Sequence, residues 1–192
     1  MRAPRPRRSF GLRSFGPRSF GAVALAVAAL LAPLAAPATA GPAHQVAAAK
    51  AATKTFTHPR GATKAGYGLL KDAAGIACIS MKGMGAMGVH YANGALVDDK
   101  IQVRHPEAIV YRFTRNGHLK MAALEYLVLR KVWRQAHPTG RPELFGHRFN
   151  FTPKGNRFGL PPYFSLHAWL WYDNPAGQYT MWNPRVHCPA GI

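Results

Sequence analysis

Several signatures of familiar chemistry are missing from this chain. It has no H-E-x-x-H pair, no C-x-x-C and no histidines four residues apart, so no contiguous zinc motif is present. No G-x-S-x-G elbow occurs, and Ser80 and Ser165 have no evident triad, which removes the serine-hydrolase reading. Cysteine is limited to Cys78 and Cys188, and neither lies near residue 40, so a lipid-anchored form is not expected. Acid is scarce too. Seven Asp and Glu face 25 Lys and Arg, and only Glu107, Glu125 and Glu143 are glutamates.

The N-terminus is what the chain does supply. Six arginines and no acid occupy the first twenty residues, and an apolar run from about Phe20 to Ala36 follows. Ala38-Thr39-Ala40 closes it with small residues at the positions a signal peptidase inspects. The run contains Pro33 and is shorter than the roughly 20 residues a spanning helix needs. Residues 1–40 therefore read as a cleavable signal, leaving no transmembrane segment afterwards. Arg7-Arg8-Ser9-Phe10 partly matches a twin-arginine export motif, and Arg-Ser-Phe-Gly recurs at 8–11, 13–16 and 18–21. A secreted, periplasmic or extracellular location is expected.

Removing that segment takes six basic residues and no acid, so the remaining charge is 19 minus 7, or +12. Such a field draws anionic polymers and headgroups. Export makes cell-envelope anions the expected partners, rather than nucleic acid. In an oxidising compartment Cys78 and Cys188 read as a disulfide.

Residues 41–65 are rich in Ala, Lys and Thr, with few large apolar groups, and read as a flexible or weakly helical leader. Residues 66–192 form one dense domain, aromatic and broken by Gly, Pro and Asn-Gly turns. Strands are expected at Met87–Tyr91, Glu107–Phe113, Leu119–Leu129 and Phe164–Tyr172, with a short helix at Val132–Ala136. The fold class is mainly β with minor helices (α+β), an antiparallel sheet, open or curled towards a small barrel. Asp173-Asn174-Pro175 and Trp182-Asn183-Pro184 read as Asx-Pro turns.

One acid demands an explanation. Glu143 sits in a Pro-containing loop, but Glu125 interrupts the otherwise buried run Met121 to Leu129. A lone carboxylate there must be hydrogen-bonded, paired, protonated or bound to a metal. Hairpin register decides whether Glu107 joins it. An Asn116-Gly117 loop makes paired positions sum to 233 and sends the two glutamates to opposite faces. A three-residue Arg115-Asn116-Gly117 loop, the reading preferred here, makes them sum to 232. It sets Glu107 against Glu125 and Tyr111 against Met121.

His90 and His167 lie in apolar, aromatic strands, unlike His44, His58, His118 and His137. Two imidazoles and two carboxylates suit a divalent transition metal, Zn, Mn or Fe. The commoner alternative is a satisfied His-Glu-Tyr network fixing a small core. Tyr91, Tyr111, Tyr126, Trp169 and Trp171 are candidates for the pocket wall around a small-molecule ligand. Tyr163, Tyr172, Tyr179 and Trp182 are further aromatics that core or pocket would use. Gly83 to Gly88 fits G-x-G-x-x-G literally, but the following residues read as a strand rather than a helix, so a dinucleotide site is not expected. Asn150-Phe151-Thr152 is a chance glycosylation sequon.

Taken together, Gly85-Ala-Met-Gly-Val-His-Tyr91, Arg104 to Tyr111, Leu124-Glu-Tyr126, Leu144-Phe-Gly146, Leu166-His-Ala-Trp-Leu-Trp171, Asn174 to Gly177 and Asn183 to Cys188 resemble a family of small exported bacterial proteins of unassigned function. The likeness covers about residues 78–188. It implies a bacterial source and an envelope or extracellular location, and supplies no activity. Three functions remain open: a metal- or small-molecule-binding domain, a metal-assisted or Glu/His acid–base enzyme, and a basic envelope module with a structural polar core.

Overall fold

A computed structural model of the protein describes residues 41–190. The expected signal segment, with its expected cleavage site and arginine motif, lies outside the described residues.

The chain enters through two helices, α1 (Pro42–Thr53) and α2 (Pro59–Lys64), each with proline in the first turn, where its missing N–H costs nothing. Strands β1 (Gly68–Leu69), β2 (Cys78–Met81), β3 (Gly85–Ala92), β4 (Ala108–Phe113) and β5 (Leu119–Leu129) follow. After α3 (Arg130–Ala136) come the small hairpin β6 (Glu143–Leu144) and β7 (His147–Arg148), then β8 (Asn150–Thr152) and β9 (Tyr163–Ala168). The main sheet is antiparallel and seven-stranded, ordered β1-β3-β4-β5-β9-β8, with β2 also on β3. It is open, not closed into a barrel. Among the described residues no helix is long and apolar enough to cross a membrane.

The larger core lies on one face of the sheet, where Val89, Ile109, Tyr111, Leu124, Tyr126, Val128 and Leu166 pack together. Residues 41–65, expected to be flexible or weakly helical, are helical and pinned against that face. Ala49, Thr53 and Ala62 are fully buried. The Tyr111 hydroxyl donates to the Phe56 carbonyl at 2.9 Å, and the Met121 N–H donates to Thr57 at 2.9 Å. Counting only large apolar groups misses this segment, because alanines allow close approach and backbone carbonyls do the anchoring.

β9 ends at Ala168, four residues before the expected Tyr172. The Trp169 N–H turns away to the Gln178 carbonyl and the Leu170 N–H folds back on Ala168. From there the chain crosses the second face of the sheet, stabilised by both Asx-Pro turns. Asn174 and Asn183 are buried, and their side-chain oxygens accept the N–H groups of Ala176 and Arg185. Gly85 touches this segment so closely that a Cβ there would overlap the Asn183 carbonyl. Close backbone approach, not a cofactor, accounts for this glycine.

A disulfide joins Cys78 of β2 to Cys188 at the end of that crossing segment, across 110 residues. Closing so long a loop restricts the unfolded chain by about 4–5 kcal/mol in the chain-entropy model. Replacing both cysteines by serine should lower the thermal midpoint by about 10–15 °C at the 2–4 °C per kcal/mol typical of this size. A calorimetric midpoint within about 3 °C of the native one would contradict that account.

Candidate metal centre

The turn expected between β4 and β5 forms as the bulged version. Gly117 has φ +75°, and Tyr111 opposes Met121, Arg112 opposes Lys120 and Phe113 opposes Leu119. Then the register changes. Val110 pairs with Ala123, leaving Ala122 unopposed, and Ala108 pairs with Glu125. A β-bulge adds one residue to one strand and so moves every later pair by one. Continuing that ladder sets Glu107 opposite Tyr126, not Glu125. The four-residue cluster expected from sequence is therefore corrected to three, and Glu107 belongs elsewhere.

Glu107 is 3% exposed. Its Oε2 accepts the Leu127 N–H at 2.8 Å, standing in for a ladder bond where β4 stops. Burial pushes its carboxyl up to about 8, with the nearby Asp98 and Glu125 charges adding to the rise.

Glu125 instead shares its face with the two strand histidines. His167 lies directly opposite it on β9. His90 is on β3, one strand further away, with β4 between. Strands about 4.8 Å apart put β3 and β5 nearly 10 Å apart. The intervening side chains on this face, Ala108, Val110 and Ala123, are small, so His90 and Glu125 meet over them. Among the described residues these three are the group of metal-ligating side chains that converges, with one ligand atom from each within 4.8 Å of the others.

The distances are specific. His90 Nε2 lies 3.1 Å from His167 Nε2 and 3.2 Å from Glu125 Oε2. His167 Nδ1 lies 3.5 Å from Glu125 Oε1. Metal bonds of about 2.0–2.1 Å space tetrahedral ligands roughly 3.3 Å apart and octahedral ones roughly 2.9 Å apart. The two contacts of His90 Nε2, at 3.1 and 3.2 Å, fall between, and the 3.5 Å contact of His167 Nδ1 is slightly longer. Both histidines are 2% exposed, whereas the Glu125 side chain is 12% exposed. Trp169 stacks over His167 at 6.0 Å, and Phe158 meets His90 edge-on at 6.5 Å.

Burial raises the Glu125 carboxyl, but His167, His90 and the Ser165 hydroxyl together overcome that and hold it down at about 2. Burial pulls His167 down to about 4, against the pull of Glu125. The more solvated Glu125, with hydroxyl and ring N–H donors, carries the charge, and His167 stays neutral.

A cleft of about 230 Å³ opens on Glu125 and His90. Ser165, Tyr163, Phe158 and Trp182 line it, together with Met81, Met87 and Met181. Its roof is a loop fixed by Asn156, which donates to the Pro153 and Leu160 carbonyls, and by the Arg157–Asp72 ion pair at 2.6 Å. A wider groove of about 1000 Å³ lies at the hairpin tip beside Arg112, Arg115 and Arg185. It gathers positive charge but no converging donors, so we place the centre at the smaller cleft.

The remaining candidates divide. Tyr91, Tyr111 and Tyr126 belong to the opposite core, as their odd spacing from His90, Val110 and Glu125 requires. Trp169 backs His167 without lining the cleft, and Trp171 leaves the strand to meet Lys50 and the larger core. Of the other aromatics, Tyr163 and Trp182 do line it. Ser165 was legible in principle, being two residues from His167 on the same strand face. No family model, curated protein or solved structure matched this chain.

Proposed function

We propose that this protein is an exported metal-binding domain in which His90, Glu125 and His167 hold a divalent transition metal, Zn, Mn or Fe. The observation that carries the reading is the approach of His90 Nε2 to His167 Nε2 at 3.1 Å and to Glu125 Oε2 at 3.2 Å, in a group whose ligand atoms all lie within 4.8 Å of one another. Two protonated nitrogens cannot face each other at that distance, so one proton at most separates three lone-pair atoms. A cation satisfies all three. His₂Glu is also a donor set used by catalytic zinc, and two histidines with one carboxylate suit Fe(II).

When bound, such an ion supplies a Lewis acid or an activated water. The chain does the rest. Ser165 orients the carboxylate, Trp169 and Phe158 hold the imidazoles, and Tyr163 stands at the cleft with its hydroxyl pushed up to about 12 by burial and by Glu125. A neutral phenol in that place is a hydrogen-bond donor to a small ligand. The exported location rests on the arginine-led signal, the resemblance to exported bacterial proteins and the Cys78–Cys188 bond.

The test is reconstitution of the purified protein with each metal, then dialysis and elemental analysis. One equivalent of at least one metal is expected, and ligand at 100 times its Kd should stabilise the fold by about 2.7 kcal/mol. Less than about a tenth of an equivalent for all three would end the reading, because a preformed site of this kind binds stoichiometrically.

A further inference from the structure

The chain contains six methionines including the first residue, and three of them, Met81, Met87 and Met181, line the cleft that opens on His90 and Glu125. They arrive there from different places: the end of β2, the middle of β3 and the crossing segment after β9. Met87 is the most telling. Residues three apart in an unbroken strand point to opposite faces, so Met87 and His90 should not share a cleft. A second bulge changes that. Ile79 pairs with Gly88 and Ser80 with Ala86, which leaves Met87 unopposed. Gly88 permits it, with φ +95° and no room for a Cβ beside the Tyr111 carbonyl. Bulges turn side chains to new directions.

Methionine commonly fills gaps in a core. Met81 does not fill this role, because it is 46% exposed at the rim. Thioether sulfur is a soft, uncharged donor. It adds little for Mn or Fe(II), whose preferred partners are oxygen and imidazole, and much for monovalent copper.

From this juxtaposition we infer that the centre is built for copper, with the His90 and His167 nitrogens and the cleft thioethers receiving Cu(I). The inference rests on the His/Glu centre proposed above and makes copper its preferred metal, with Zn(II) a weaker occupant of the same donors. Glu125 then favours the divalent ion and the methionines the monovalent one, so both oxidation states find donors in one place.

The test is competition of the purified protein against a chromophoric Cu(I) chelator under argon, with a reductant that is not a thiol so that the disulfide stays closed. Zn(II) is titrated in parallel. One equivalent of Cu(I) is expected. The combined variant Met81→Leu, Met87→Leu, Met181→Leu should lose about 100-fold in Cu(I) affinity and less than about threefold in Zn(II) affinity, since leucine keeps the volume and removes the soft donor. Should the combined variant misfold, Met81→Leu alone changes only an exposed side chain. X-ray absorption of the Cu(I)-loaded native protein reads sulfur in the coordination shell directly. A native protein that takes Zn(II) but not Cu(I), or Cu(I) affinity indifferent to the methionines, overturns the copper assignment and leaves the centre standing. Failure to bind either metal removes both.

Discussion

Changing Glu125→Gln should lower the affinity for Zn(II), Mn(II) or Fe(II) by at least about a thousandfold, or roughly 4 kcal/mol. The amide keeps the shape of the side chain and can still bond the Ser165 hydroxyl. What it loses is the negative charge that meets a dication at bonding distance, where the surroundings are only partly solvated. Coulomb attraction there greatly exceeds that of a surface pair, even at an effective dielectric of about 20. The chelator-treated forms should differ much less in stability, because the facing His167 is a neutral partner in the native protein. The measurement is a pair of thermal melts, each with excess metal and with chelator. The native midpoint should shift between the two and that of Glu125→Gln should not. Equal shifts in both proteins would mean that any metal sits elsewhere, and the His-Glu group would then be a structural network.

The second large effect lies on the opposite face of the sheet. Glu107 is held at about 8 in the fold, against an unfolded value near 4.5. Between those values the native state binds a proton that the unfolded state has lost. Stability from this group is thus fully present below about pH 4.5 and disappears as pH rises through about 8. At about 1.36 kcal/mol per unit, the whole interval is on the order of 5 kcal/mol. His167 acts with the opposite sign. It is held at about 4 and stays neutral in the fold, so its contribution is present above its ordinary value near 6.5 and lost as pH falls through about 4.

The two effects can be separated by choosing the window. Above pH 6.5 the His167 contribution is constant, and Glu107 alone should cost about 2 kcal/mol between pH 6.5 and 9. Denaturant melts of metal-free protein should show that fall, and Glu107→Gln, which keeps an acceptor for the Leu127 N–H, should abolish it. A native protein as stable at pH 9 as at pH 6.5 would show that the carboxyl is not held neutral.

Much of the β5 hairpin was readable without coordinates. Leu119–Leu129 is a strand with the expected limits, the Gly117 bulged turn forms, and Tyr111 meets Met121. The error began at Ala122. In Met121-Ala122-Ala123-Leu124 two small apolar residues adjoin, so the alternation that marks a register has no sign there. An inserted residue in that stretch leaves no trace in the pattern, yet it moves Glu107 from beside Glu125 to beside Tyr126. The same blindness hid Met87, whose bulge lies within a run of glycine and alanine. Trp171 was misplaced for a different reason. Hydrophobic alternation continues past Ala168, while the backbone is turned out of the sheet by its bond to Gln178.

Composition and local pattern alone determined the antiparallel β-rich class, the pairing of the only two cysteines and the demand that Glu125 have company. These follow from short-range chemistry: periodicity, turn residues and the cost of a buried charge. Which groups answer that demand was decided by the tertiary structure. The strand order β3-β4-β5-β9 carries His90 and His167 to Glu125, small β4 side chains let His90 reach over, and one bulge takes Glu107 away. Strand order and bulges depend on pairing energies summed over distant segments, which no single stretch of sequence displays.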